Sequence, residues 1–583
     1  MEQYYTNERN VQILIALLKA HGIKRVIASP GSTNVTFVGS IQQDLWFEIY
    51  SSVDERSAAY IACGMAAETK EPVVLSCTGA TASRNYFPGL TEAYYRKLPV
   101  LAITSTQEES KIGQLIPQVI NRTQQPADTV KCSEHLQTVK DADDEWNVML
   151  KVNRALLELN HHGMGPVHIN LTTRYSNDFS VKSLPLVKKI CRYTVTDNLP
   201  PIALKDKIAI YIGSHLRWTK EETQALETFC KKYNAVAFCD TTANYMGKYR
   251  VNYNLASCQK IEHVNKNPDL LIHIGDMSDQ AGMIGTPREV WRVSPDGALS
   301  DRYKALSNVF EMSEYDFFSR YAAMPYGKEG DDSYINSCRT VTERLQSKIP
   351  ELPWSHIYVA SQLHDKIPSE STVHLGILSP LRSWSYFDFH PTVEVYCNQG
   401  GFGIDGNMSS LLGASLMHPN RLYFAMVGDL SFFYDLNVIG NRHIGHNIRI
   451  LLINNALGAE FHLFKQLNSI YVNDIPKYLS AGGHFGHQSP TLVRHYAEDL
   501  GYEYLSASNK EEFMSVYPRF ITPKLTDKPI IFEVFTNAED ENEALKQMWN
   551  IEIDTSLKGH AKRAAKHLLG ETGINAIKSI INK

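Results

Sequence analysis

Short apolar segments recur along the whole chain of 583 residues, and helical or turn-forming stretches separate them. Examples are V-V-L-S-C at 73–77, L-L-I-H-I-G at 270–275 and I-L-L-I-N-N at 450–455. A strand that is apolar on both faces is typical of a parallel sheet with helices packed on both sides. The pattern therefore predicts an α/β fold that is built from doubly wound parallel sheets.

Two polar stretches divide these strands into three groups. The first lies near residues 176–200, and the second is the Gly- and Asp-rich segment Y-G-K-E-G-D-D-S at 326–333. A chain of this length is expected to form several domains. We predict three α/β domains at residues 1–185, 190–325 and 335–550. A basic helical tail is predicted at 551–583, and it either packs on its own subunit or a neighbouring one or binds a membrane surface.

Composition narrows the class of protein. The net charge of −5 comes from 58 basic and 63 acidic residues, which gives no indication of nucleic acid or membrane partners. No apolar run is long enough to span a bilayer.

Nine scattered cysteines without a C-x-x-C motif predict a cytoplasmic protein that lacks a disulfide framework. The pairs His443-x-x-His446 and His484-x-x-His487 have no third ligand in sequence, so no zinc site is predicted there.

Polar residues follow two neighbouring apolar strands in the last third of the chain. Asp429 follows Gly428 at the end of one strand, and Asn454-Asn455 ends the next. Ligands bind at the carboxyl ends of strands in open parallel sheets. Carboxylate and amide oxygens there suit Mg²⁺, which commonly shares its ligands with a diphosphate. The alternative is that Gly-Asp forms only a turn and a helix N-cap.

Three charged residues, Asp54-Glu55-Arg56, precede an apolar helix. One interpretation is that the two carboxylates stabilise the helix N-terminus through its dipole. The other is that one of the three charged residues takes part in chemistry, and the residues alone leave both interpretations open.

Several motifs resemble those of the thiamine-diphosphate enzyme superfamily, and within it the branch of menaquinone-pathway synthases. They run in family order over roughly residues 7–540: S-P-G-S (29–32), D-E-R-S-A (54–58), G-P-V-H-I-N (165–170), G-I-D-G (403–406) and G-D-L-S-x-x-Y-D-L-N (428–437). The resemblance implies a pyrimidine-binding, a central and a diphosphate-binding domain, in agreement with the three predicted domains. It also implies a homodimer or homotetramer with active sites at the subunit interface.

The resemblance further implies an enzyme that uses thiamine diphosphate and Mg²⁺. Such an enzyme decarboxylates a 2-oxo acid and transfers the resulting carbanion to an acceptor, as a decarboxylase and carboligase. Carried over residue by residue, the resemblance implies that Glu55 is catalytic and that the metal ligands are Asp429, Asn455 and the Leu457 carbonyl. The implied cofactor-binding residues are Glu55, Thr78, Gly79, Ile404, Gly428, Asp429, Leu430 and Ser431. The implied substrate-binding residues are Ser32, Gln118, Arg382 and Gln399.

The substrate pocket departs from the family pattern. Thr33, Gln107 and Gln399 stand where the family has arginine, and only Arg382 is retained. Arginine is the natural bidentate partner of a carboxylate, so these changes weaken the binding of acidic substrates. Three nearby cations are candidates to compensate: Arg84, Lys111 and Arg122. The sequence leaves two alternatives open, a related enzyme that acts on a less acidic substrate and a non-catalytic protein with the same fold.

Overall fold

The computed structural model describes residues 4–202, 207–259, 264–327, 331–463, 478–484 and 489–552. Its strands form three sheets in which the described strand pairings are parallel. The predicted fold class, with three parallel-sheet α/β domains, is confirmed. The predicted tail lies outside the described residues except for Ile551 and Glu552, and so does His487.

The first sheet has six strands in the order β2-β1-β3-β4-β6-β5. Its elements are α1 (Arg9–Ala20), β1 (Arg25–Ala28), α2 (Val35–Ile41), β2 (Glu48–Ser51), α3 (Glu55–Thr69), β3 (Val73–Cys77), α4 (Thr81–Asn85), α5 (Phe87–Tyr95), β4 (Val100–Thr106), β5 (Cys132–Leu136), α6 (Ala142–Glu158) and β6 (Val167–Thr172). Every residue of β3, β4 and β6 is buried, as the continuous apolar runs predict.

A second group of parallel strands lies between residues 191 and 311. Its elements are β7 (Cys191–Thr194), β8 (Ile208–Ile212), α7 (Lys220–Tyr233), β9 (Ala235–Cys239), β10 (Arg250–Val251), α8 (Asn254–Ser257), β11 (Leu270–Ile274), β12 (Val290–Val293), β13 (Leu306–Glu311) and α9 (Glu314–Ala323). Five strands follow the order β10-β9-β8-β11-β12, and β13 pairs with β7. The strand β7 lies in a stretch that its polar composition marks as a boundary.

The third sheet has six strands in the order β15-β14-β16-β17-β19-β18. Its elements are α10 (Ser333–Gln346), α11 (His356–Leu363), β14 (Thr372–Leu375), α12 (Ser379–Ser385), β15 (Glu394–Cys397), α13 (Asn407–Met417), β16 (Tyr423–Gly428), α14 (Asp429–Tyr434), β17 (Ile448–Asn454), α15 (Leu492–Asp499), β18 (Glu503–Ala507), α16 (Lys510–Phe520), β19 (Ile530–Phe535) and α17 (Ala538–Met548).

The chain separates into two compact units. One consists of Met1–Asn198 with Asp296–Glu311, and the other of Leu199–Pro295 with Met312–Lys583. The segment that contains β13 therefore belongs with the first unit, where it pairs with β7. Within the described ranges, no helix is both long and apolar enough to cross a membrane.

Buried polar residues in the first unit are held by specific partners. His168 on β6 is 2% exposed and lies between the hydroxyls of Thr104 and Ser133, at 2.7 and 2.8 Å. Burial lowers the pKa of His168 to about 3, and the positive charge of Arg122 adds to this effect. His168 is therefore neutral at physiological pH, and its hydroxyl partners satisfy both ring nitrogens.

Candidate active site

The metal ligands predicted in the third sheet lie at the ends of neighbouring strands. Gly428, the last residue of β16, is paired in register with Ile453 of β17. Asp429 begins α14 directly after β16 and is 3% exposed, and its Oδ1 accepts a hydrogen bond from the Leu430 amide at 2.7 Å. Asn455 follows β17 at the same edge of the sheet. The two side chains thus come from adjacent strand ends, as expected for a ligand site.

The amide oxygen of Asn455 is the predicted metal ligand whose surroundings the structure describes most clearly. This Oδ1 atom is buried and has no hydrogen-bond partner. A buried acceptor without a partner costs about 1–3 kcal/mol. Asp429, Asn455 and the Leu457 carbonyl, the ligands predicted from the sequence, offer only oxygen atoms, which is the donor type that Mg²⁺ prefers. The residues present therefore fit the predicted metal.

Two further carboxyl groups lie close enough to Asp429 for its charge to affect their pKa values. Burial raises the pKa of Glu541 to about 7, and the charge of Asp429 contributes to the increase. Burial also raises the pKa of Glu533, and Asp429 again adds to it, although hydrogen bonds from Asn454 and Tyr504 act in the opposite direction. A cation at the strand ends would offset this repulsion. Sequence reasoning missed Glu541 because it lies among the acidic residues that are common in the first turn of a helix.

The loop that contains Ile404 is attached to the start of α14. The Ser431 hydroxyl donates to the Ile404 carbonyl at 2.7 Å, and the Asn407 amide donates to Ser431 at 3.1 Å. No atom lies within 4 Å of the position that a Cβ on Gly428 would occupy, so there is open space beside the backbone. The second unit thus brings Ile404, Gly428, Asp429 and Ser431 into one site that has room for a ligand.

Arg382, the retained arginine, is already paired. Its guanidinium forms two hydrogen bonds with Glu460, at 2.8 and 2.6 Å, and the Ser379 hydroxyl also donates to this carboxylate. Arg382 and Asn455 line the same cavity of about 20 Å³. Nothing in the sequence A-L-G-A-E-F indicated that Glu460 would pair with an arginine 78 residues earlier.

Gln399 lies away from solvent. It is 1% exposed, its oxygen accepts from the Asp279 amide at 2.7 Å, and its nitrogen donates to Thr242 at 3.0 Å. Both ends of the amide are therefore occupied by the segment that precedes the third sheet. The contact of Gln399 with substrate stays a prediction.

In the first unit, the charges that open α3 have different environments. Asp54 is the N-cap, and its side chain accepts from the amides of Arg56 and Ser57 at 2.8 and 3.2 Å. Arg56 lies 3.6 Å from Asp54 on the surface. Glu55 is half-buried, close enough to Cys77 and Tyr86 for its charge to contribute to the raised pKa of each. Asp54 therefore carries out the capping, and Glu55 is available for chemistry.

The other predicted residues of the first unit follow β1, β3 and β4. Ser32 and Gln118 are exposed, and the Thr78 hydroxyl bonds to that of Thr33. A Cβ on Gly79 would lie 3.0 Å from the Gln118 carbonyl. A side chain at position 79 would therefore press against the segment that contains Gln118.

The three candidate compensating cations differ. Arg84 is exposed and donates to the Asn121 carbonyl at 3.0 Å. Lys111 donates to Gln107 at 2.7 Å, which places a charge where the family has arginine. Arg122 is 1% exposed and donates to the Ser105 carbonyl at 2.9 Å, while its Nε and Nη1 have no hydrogen-bond partner. Burial lowers the pKa of Arg122 to about 10, which is still well above neutral pH.

Comparison with known proteins shows a matching domain and several relatives that cover most of the chain. A family model described as the N-terminal TPP binding domain of thiamine pyrophosphate enzymes matches residues 9–131. The 2-succinyl-5-enolpyruvyl-6-hydroxy-3-cyclohexene-1-carboxylate synthases of Bacteroides thetaiotaomicron and Bacteroides fragilis are 30% and 31% identical to the chain over 572 and 568 residues, which is 94% of this chain and 99% of each relative. The chain belongs to this synthase family.

More distant members of the synthase family extend the comparison. The synthase of Flavobacterium johnsoniae is 28% identical over 474 residues, which covers 78% of this chain and 84% of the relative. The resemblance predicted from the motifs is thus confirmed. The matched domain at residues 9–131 contains Glu55, Thr78 and Gly79.

Proposed function

We propose that the chain is an enzyme that uses thiamine diphosphate and Mg²⁺ to decarboxylate a 2-oxo acid and to transfer the remaining acyl unit to an acceptor, with formation of a C–C bond. The observation that carries this proposal is the pair Asp429 and Asn455 at adjacent strand ends, with the Asn455 oxygen buried and unpaired. When bound, thiamine diphosphate supplies the electron sink for decarboxylation.

Different residues of the chain would bind the metal, the diphosphate and the aminopyrimidine ring. Asp429, Asn455 and the Leu457 carbonyl would hold Mg²⁺, with the backbone from Gly428 to Ser431 beside the diphosphate. Ile404, held by Ser431, would give the cofactor an apolar contact. Glu55 would exchange a proton with N1′ of the aminopyrimidine ring, next to Thr78 and Gly79.

We also propose that two copies of the chain complete each site. Residues 1–185 would bind the pyrimidine and residues 335–550 the diphosphate, with 190–325 as a central domain. In the superfamily these two ends come from different subunits, so Glu55 of one protomer and Asp429 of its partner would contact the same cofactor. Analytical ultracentrifugation should therefore show that the active species is a homodimer or homotetramer, and a fully active monomer would contradict this assembly.

The charge of the substrate pocket favours a second candidate, the same chemistry on a less acidic substrate. Glu460 neutralises Arg382, and Thr33, Gln107 and Gln399 are uncharged. Lys111 and Arg122 remain as cations in the first unit. A dicarboxylic 2-oxo acid would therefore lose the bidentate partner that Arg382 offers in the family.

One panel of substrates tests both candidates. We expect the enzyme to release CO₂ from a 2-oxo acid only when thiamine diphosphate and Mg²⁺ are both present. We also expect a higher kcat/KM for monocarboxylic 2-oxo acids such as 2-oxobutyrate than for 2-oxoglutarate. Cofactor binding without CO₂ release from any 2-oxo acid, with and without an acceptor, would indicate the non-catalytic alternative.

The variant Glu460→Gln should change the preference. The amide keeps a hydrogen-bond acceptor for Arg382 but removes the negative charge, so Arg382 becomes available to a substrate carboxylate. A charged hydrogen bond contributes about 1.5–3 kcal/mol, so kcat/KM for 2-oxoglutarate relative to 2-oxobutyrate should rise roughly 10- to 100-fold. Glu498→Gln, which disrupts an exposed pair with Arg494, is the matched control. An unchanged ratio in a folded Glu460→Gln protein would exclude this role.

A further inference from the structure

Three potential metal ligands meet in the first unit, in a cluster separate from the residues of the proposed active site. His161 and His162 lie in the short turn after α6, and Glu311 ends β13. The His161 Nε2 atom lies 2.8 Å from one oxygen of Glu311, and the His162 Nε2 atom lies 2.7 Å from the other. One carboxylate therefore receives two imidazole nitrogens from residues about 150 positions away in the sequence.

A second carboxylate fixes the orientation of the first imidazole. Nδ1 of His161 lies 2.9 Å from Glu158, whose other oxygen pairs with Arg192 at 2.9 Å. In protein metal sites, a ligating histidine almost always donates its second ring N–H to a carboxylate, a carbonyl or water. Here the Glu158 carboxylate accepts the hydrogen bond from Nδ1, so Nε2 of His161 is directed at Glu311.

The backbone of His162 brings the second imidazole onto the same carboxylate. His162 has φ 41° and ψ 55°, in the left-handed region that a residue with a side chain seldom adopts. In this conformation its ring stacks on that of His161 with centroids 3.7 Å apart. Backbone strain of this kind persists where surrounding contacts impose it, and it is common at ligand sites.

We propose that His161, His162 and Glu311 form a binding site for one divalent cation of the Zn²⁺ type, coordinated by the two Nε2 atoms and the Glu311 carboxylate. Two imidazoles and one carboxylate are a known zinc ligand set, and water completes the coordination. The open side is the one that His162 presents to solvent, since its side chain is 70% exposed.

The three ligand atoms lie within 4.8 Å of one another. Tetrahedral zinc bonds of about 2.0–2.2 Å place ligand atoms roughly 3.3–3.6 Å apart, so small side-chain rotations suffice. The mixed nitrogen and oxygen ligands distinguish this site from the oxygen-only site at Asp429. A bound cation would link the turn after α6 to β13 and thereby stabilise the first unit.

Calorimetry with ZnCl₂ tests the site on full-length, tag-free enzyme that is kept saturated with thiamine diphosphate and Mg²⁺. The wild type should bind one equivalent of Zn²⁺ with a Kd below about 10 μM, and its melting temperature should rise on binding. His162→Gln should weaken binding at least about a hundredfold and abolish the thermal shift. The glutamine side chain can still donate a hydrogen bond to Glu311. Because His162 is exposed, the substitution should leave the protein folded, so weaker binding would reflect the loss of a ligand.

His443→Gln is the matched control, because it removes an exposed histidine in the second unit and should leave Zn²⁺ binding unchanged. A wild type that binds no Zn²⁺ below about 100 μM would overturn the proposal. Binding that is equally tight in His162→Gln would overturn it too, since the ion would then lie elsewhere. In both cases the cluster would be an ion-pair network only.

Discussion

Replacing Asp429 with alanine is expected to abolish Mg²⁺-assisted binding of thiamine diphosphate. Loss of a residue that only orients a metal ligand typically weakens metal affinity by about 10- to 100-fold, so loss of a direct ligand should cost at least about a hundredfold. Glu533 and Glu541 cannot replace Asp429, because both are engaged by other hydrogen-bond donors. Calorimetry with thiamine diphosphate at saturating Mg²⁺ measures the effect.

Asp435→Asn provides the control for that experiment. Asp435 is also buried and lies just after α14, but its oxygens accept from the amide and hydroxyl of Ser409. It therefore stabilises the fold close to the site without facing a ligand, and the folded variant should keep wild-type cofactor affinity. Unchanged affinity in the Asp429→Ala protein would show that the strand-end residues do not hold the metal.

Replacing Glu55 with glutamine is expected to leave folding and cofactor binding nearly intact but to lower turnover of the 2-oxo acid at least about a hundredfold, the low end for a lost proton-transfer group. The amide has nearly the same shape, but it has no carboxyl proton to exchange with N1′. Exchange of the thiazolium C2 proton for deuterium, followed by NMR on the bound cofactor, should slow accordingly.

Replacing the neighbouring residue, Asp54, should lower stability without slowing C2 exchange. Asp54 caps α3 through the amides of Arg56 and Ser57, so Asp54→Ala should destabilise the fold by about 1 kcal/mol. The C2 proton should exchange at the wild-type rate in its folded fraction. If Glu55→Gln instead lowers the melting temperature and keeps normal exchange, then Glu55 belongs to the helix start and the catalytic assignment is wrong.

Much of the fold could be predicted from the sequence because the strands are buried on both faces. Segments such as Val73–Cys77 are apolar throughout, and only a helix-covered parallel sheet buries every residue of such a strand. The same reasoning failed for β7, where the half-buried residues Cys191–Thr194 give no apolar run. A strand at the edge of a sheet needs less apolar surface, so composition alone does not reveal it.

Candidate site residues could be predicted where they directly follow an apolar strand in the sequence. Gly428, Asp429 and Asn455 lie at the ends of apolar runs, so the runs themselves indicate the strand-end position of these residues. The pairings of Arg382 with Glu460 and of His161 with Glu311 join residues that are 78 and 150 positions apart. Such contacts depend on how distant elements pack, and a single sequence contains no periodic signal for them.

The strand orders of the first and third sheets have a consequence for what determines the chemistry of each sheet. Numbered within its own sheet, each follows the order 2-1-3-4-6-5. Thr78-Gly79 and Asp429 come after the third strand of their sheets, and Gln107 and Asn455 after the fourth. The two sheets therefore present residues at equivalent strand ends, where the third sheet has Asp429 and Asn455 and the first has Gly79 and Gln107. One arrangement of strands thus serves two different sets of side chains, so the chemistry of each sheet is set by the residues at its strand ends and not by its topology.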